Sequence, residues 1–83
     1  MFRSRIIMRK EHMIRKEYAH KIWQLILDRK KAAKKFDDMI TPKTTEPEKQ
    51  KILKDKQKAL LDINKDITTL KIKEKLEILN LTA

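Results

Sequence analysis

The sequence predicts an all-α fold: two long antiparallel helices closed into a coiled-coil-like hairpin, open to completion as a bundle by a partner or a second copy. Three observations predict it. The 83-residue chain has no glycine, and both prolines fall within "TPKTTEPE" at 41–48, so there is one clear break. On either side of that break, apolar residues recur in steps of three and four, the period of a helix. Charged residues make up 41% of the chain, and no apolar run approaches the roughly 18 residues of a membrane span. At this length the chain is expected to be a single helical-hairpin domain, with a helix over about 7–40, a turn at about 41–45 and a helix over about 46–80.

In the first helix, Tyr18, Ile22, Leu25, Ala32, Phe36 and Met39 follow alternating steps of four and three, and Arg29 fills the missing place. Ala19, Ile26, Ala33 and Ile40 lie beside them and broaden the stripe into a bundle-type face. Ile14 and Ile7 extend it upstream. Pro42 then disfavours helical dihedrals at Thr41 and ends the helix. A second helix restarts at once: Thr45 suits the N-cap, Glu48 stands three residues on as in a capping box, and Pro47 falls in the first turn, where its missing N–H costs little. A short polar connection favours antiparallel closure; a stiff joint between helices docked on different surfaces is the alternative.

The second helix carries Leu53, Leu60, Ile63, Ile67 and Leu70 on one stripe, with Lys56 in a seam place. Continued steps land on Glu74 and Glu77, so the apolar face is expected to turn near Leu70 toward Leu61, Ile72, Leu76 and Leu79. In "TTLKIKEKLEIL" the even spacing of Leu70, Ile72, Leu76 and Ile78 also fits a strand, but Lys, Glu and Leu favour helix there.

Some apolar residues are left over. In "IWQLILDRKKAAKK" at 22–35, Ile22, Leu25 and Ile26 follow the stripe, whereas Trp23 and Leu27 form a separate patch with His20 beside it. A two-helix hairpin cannot cover both faces of its own helices. Trp23, Leu27, His20, Leu61, Ile72, Leu76 and Leu79 are therefore the expected protein-interface residues. A lone tryptophan lying across a wet helix flank is the plainer reading of Trp23.

Twenty-two lysines and arginines against twelve acids leave a net charge of +10. Such a field favours anionic partners and opposes pairing of two copies. Arg29, Lys30, Lys31, Lys34 and Lys35 form a ridge that could neutralise phosphates, although no aromatic or amide residue interleaves it for base reading. A solvated face explains the ridge equally well. The N-terminal "MFRSRIIMRK", in which Phe2 and Ile6 share a side with Met13, has the composition of a basic amphipathic arm for RNA, anionic lipid or organelle targeting.

Catalytic equipment is sparse: one serine (Ser4), no cysteine, no phosphate-cradling glycines, and His12 and His20 too far apart on a helix to share a metal. The expectation is a non-catalytic helical interaction module without cofactor or metal, a small basic accessory or structural subunit of a larger protein or ribonucleoprotein assembly. Backbone-directed nucleic-acid binding and a self-associating four-helix-bundle dimer are the alternatives. The lack of cysteine is compatible with a reducing compartment, so an intracellular setting is expected, in the cytoplasm or an organelle matrix.

Overall fold

The structure, a computed structural model, describes residues 4–81 and shows two helices, α1 (Arg5–Met39) and α2 (Glu46–Leu81), folded into a hairpin. The α1 N-terminus starts earlier than its apolar stripe because Ser4 caps it. The Ser4 backbone is extended, and its hydroxyl accepts from the Ile7 N–H at 3.1 Å. At the other end Ile40 leaves helical geometry with φ −88° and ψ 114°, and its N–H donates to the Asp37 carbonyl at 3.2 Å, a tightened last turn.

The turn needs no glycine because no described residue has a positive φ. The Thr44 N–H donates to the Thr41 carbonyl at 3.0 Å, closing a four-residue turn with Pro42 in its second place, where proline fits. Two threonine hydroxyls reinforce it: the Thr41 N–H donates to Thr44 Oγ1 at 2.8 Å, and the two Oγ1 atoms lie 3.2 Å apart. Glu48 then reaches back to the Thr45 N–H at 3.4 Å, the return half of a capping box.

The seam between the helices is long and shallow. Only Tyr18 and Ile67 are buried among the described residues, each 6% exposed. Around them the half-buried places run Ile7, Ile14, Ile22, Leu25, Ala32 and Phe36 on α1, and Leu53, Leu60, Ile63, Leu70, Ile78 and Leu81 on α2. Met39, expected on the stripe, is 51% exposed. The helix ends there, and half-buried Ile40 follows it.

The expected change of direction near Leu70 does not occur. Glu74 is half-buried in the seam, which continues straight to Ile78 and Leu81, while Ile72, Leu76 and Leu79 stay outside. Carboxylates are tolerated because α1 supplies their partners. Arg15 approaches Glu74 at 3.8 Å, and the Tyr18 hydroxyl donates to Glu77 at 2.7 Å. Side chains lean toward the N-terminus of their own helix, so in an antiparallel pair Tyr18 and Glu77 lean toward each other across two turns of offset. The two cationic seam residues are satisfied in the same way: Arg29 donates to Asn64 and Lys56 to Asp37, each at 2.7 Å.

Thr68 and Thr69, β-branched residues in mid-helix, donate their hydroxyls to the Asn64 and Lys65 carbonyls, each at 2.9 Å. The helix continues through the segment that could have read as a strand. The product is a rod of 64 × 17 × 13 Å. Its radius of gyration is 19.1 Å, where a globule of this length would have about 12 Å.

Candidate functional site

A rod of two helices has an inner seam and two outer faces, and apolar residues occupy all three. On α2, Leu61, Ile72, Leu76 and Leu79 are 54–57% exposed. At 100° per residue they fall within about 60° of one another and roughly 150° from the seam, on the back of the helix. On α1, Trp23 is 54% exposed, His20 beside it is exposed and Leu27 is half-buried. The expected interface residues thus lie on two separate surfaces, pointing away from each other on opposite edges of the hairpin.

Trp23, Leu27 and Leu61 lie near the middle of the rod, and Ile72, Leu76 and Leu79 in the half far from the turn. There α1 also presents Ile6, 66% exposed, and Met13, 68% exposed. Ile6, Met13, His20 and Leu27 are spaced by seven residues and share one arc with Trp23. That spacing is the available sequence signal linking Trp23 to the N-terminal residues. Phe2 and Arg3, which belong to the same basic arm, lie outside the described residues.

Charge separates the two faces. Residues 1–27 hold seven basic and two acidic side chains, residues 28–60 eleven and six, and residues 61–83 four and four. The net +10 is therefore five, five and zero along the chain. The two acids of residues 1–27 are already engaged, Glu11 with Arg15 at 3.0 Å and Glu17 with Lys21 at 3.7 Å. Arg5, Arg9, Lys10 and Lys16 enter no ion pair among the described residues.

The basic ridge is divided. Lys30, Lys31, Lys34 and Lys35 are exposed, whereas Arg29 is half-buried with its guanidinium on Asn64. The ridge faces solvent near the turn with four lysines rather than five cations.

One titratable group stands out. The Tyr18 hydroxyl is pushed up to about 12, first by its hydrogen bond to Glu77, then by desolvation and by the Glu77, Glu17 and Glu74 charges. Lys21 lies 5.3 Å from the centre of the Tyr18 ring. This arrangement clasps the helices; the hydroxyl points at a carboxylate and not into a cleft. No cluster of three or more His, Cys, Asp or Glu that could hold a metal occurs among the described residues. Among them, no helix is long and apolar enough to cross a membrane.

No protein-family model, curated protein or solved structure matches this chain.

Proposed function

We propose that this chain is a non-catalytic helical interaction module, a small basic accessory or structural subunit of a larger protein or ribonucleoprotein assembly. The observation that carries the reading is the imbalance between what the hairpin covers and what it leaves in water. Among the described residues two are buried, while seven large apolar side chains on the two outer stripes are more than half exposed. The accessible surface is 7245 Å², against about 5,200 Å² for a compact monomer of this mass. Exposed apolar stripes of this kind mark protein contact surfaces, and a tryptophan at the centre of one is a typical anchor.

The test is cross-linking of the chain at its natural abundance in the source cells, compared with Trp23→Ala and Leu76→Ala variants. A defined neighbour that cross-links to the unmodified chain and is lost from either variant supports the reading. A chain that stays monomeric and cross-links to nothing contradicts it.

Backbone-directed nucleic-acid binding is favoured by one observation: Lys30, Lys31, Lys34 and Lys35 are exposed, and none enters an ion pair among the described residues. Such binding would follow phosphate spacing and weaken steeply with salt. Titration of duplex RNA or DNA at two salt concentrations tests it, and no binding at low salt removes it. Self-association is the third reading. The back of α2, in a segment with no net charge, would carry the contact with least repulsion, and light scattering at moderate salt reads it directly.

A further inference from the structure

We infer that the outer stripe of α1 is a docking seam for an acidic amphipathic helix, one whose facing edge alternates apolar residues with glutamate or aspartate. The inference rests on the interaction-module reading and names the partner's chemistry. The stripe has the spacing of a helix-pairing seam. Ile6, Met13, His20 and Leu27 repeat every seven residues, and Arg9, Lys16, Trp23 and Lys30 repeat every seven on the adjoining edge, in steps of three and four. One edge is apolar apart from His20. The other is cationic apart from Trp23.

This seam is distinct from the inner one, which uses Ile7, Ile14, Tyr18 and Leu25 about half a turn away. A single helix thus carries two heptad seams. α2 occupies only the inner one.

Three kinds of occupant can be weighed against these residues. A bilayer surface takes a broad apolar arc with cations at its margins. Here the apolar edge is a single row, Ile6, Met13 and Leu27 with His20 among them, which is too narrow an arc to lie in a bilayer surface. A second copy of the same face would set Arg9 and Lys16 against cations. The back of α2 offers it no net negative charge, because residues 61–83 balance four lysines with four acids. Nucleic acid would satisfy the cations but leave Ile6, Met13 and Trp23 in water, at 66%, 68% and 54% exposure. An acidic helix covers the apolar edge and neutralises the cationic edge together.

Trp23 is the only tryptophan in the chain and lies on this face, so its fluorescence reports the docking directly. The probes are three synthetic helical peptides of about four heptads sharing the same apolar positions, with Glu, Gln or Lys at the alternating positions. Anionic phosphatidylcholine–phosphatidylglycerol vesicles are a fourth. The expected result is saturable blue-shifted Trp23 emission with the Glu peptide alone. It should weaken at least about tenfold between roughly 0.05 M and 0.3 M salt. It should also weaken at least about tenfold in Arg9→Glu/Lys16→Glu, whose far-UV circular dichroism should match the unmodified chain because both side chains are exposed.

Equal binding of the Glu, Gln and Lys peptides overturns the acidic partner while leaving α1 a docking face. A response to vesicles and to no peptide overturns both the acidic helix and the use of α1 as a protein-docking face. Silence toward all four overturns this inference and leaves the module reading to the cross-linking test.

Discussion

The inner seam and the outer stripes hold similar residues and do opposite things with them. In the seam, apolar side chains are half-buried or better, and the charged residues there have partners within the chain: Arg29 on Asn64, Lys56 on Asp37, Glu74 on Arg15 and Glu77 on Tyr18 across the helices, and Glu11 on Arg15 of its own helix. On the outer stripes Ile6, Met13 and Trp23, and Leu61, Ile72, Leu76 and Leu79, are all more than half exposed, and the cations Arg9 and Lys16 pair with no acid among the described residues. Hydrophobicity alone does not tell these surfaces apart. What separates them is whether the polar residues interleaved with the apolar ones are answered within the chain. The same criterion divides the two outer stripes, since α1 is basic along its back and the distal part of α2 is neutral.

Substitutions can break this contrast. The largest effect belongs to the seam. Ile67→Ala, at one of the two buried positions, should cost about 2–4 kcal/mol. Few other buried residues share the load, so much of the far-UV helical signal at room temperature should be lost. A variant that unfolds in urea at the unmodified midpoint would place the stabilising contacts elsewhere. Trp23→Ala should behave in the opposite way. Its folded state should change by no more than about 0.5 kcal/mol, while complex formation weakens by about 1–3 kcal/mol in a calorimetric titration. Equal losses in folding and in binding would erase the distinction between seam and stripe.

A smaller effect sharpens the account of the seam's polar clasp. Tyr18→Phe removes the bond to Glu77 and should lower the thermal midpoint by a few degrees at neutral pH. The hydroxyl holds its proton more tightly in the folded chain than the ordinary tyrosine value of 10.0, up to about 12. Its contribution is therefore fully present below pH 10 and is lost as the pH rises through about 12. The Tyr18→Phe chain should lack that alkaline loss of stability, and identical alkaline melting of the two chains would show the hydroxyl to be idle. The smallest effect belongs to neither surface: Ser4→Ala should cost at most about 1 kcal/mol. It should show as faster amide exchange at Ile7, with the Ile67 amide unchanged.

The helices and turn are legible in the sequence because the signals are local and agree. Steps of three and four, a proline pair and a Thr–Glu capping pattern all speak to the same boundary. The straight course of the seam past Leu70 is less legible. Glu74 and Glu77 look foreign to a core, but a two-helix seam is nowhere deep, so a carboxylate can lie in it with its oxygens turned to Arg15 or Tyr18. Ser4 is easily passed over because a capping serine is visible only once the helix start is known. Arg29 illustrates the remaining difficulty. It fits both the basic ridge and the vacant place in the stripe, and only the position of Asn64 on the other helix assigns it to the seam. The outer stripe of α1 can be read from its seven-residue spacing, yet two stripes on one helix compete for the same pattern.

The central claim is that a lone hairpin leaves its outer apolar stripes in water. Iodide quenching of Trp23 in the dilute, isolated chain, with helicity monitored alongside, tests it most directly. In the helical chain the half-exposed indole should be quenched by iodide to a large fraction of its quenching in urea. A compact, solitary, helical chain whose tryptophan is already shielded from the quencher would contradict it.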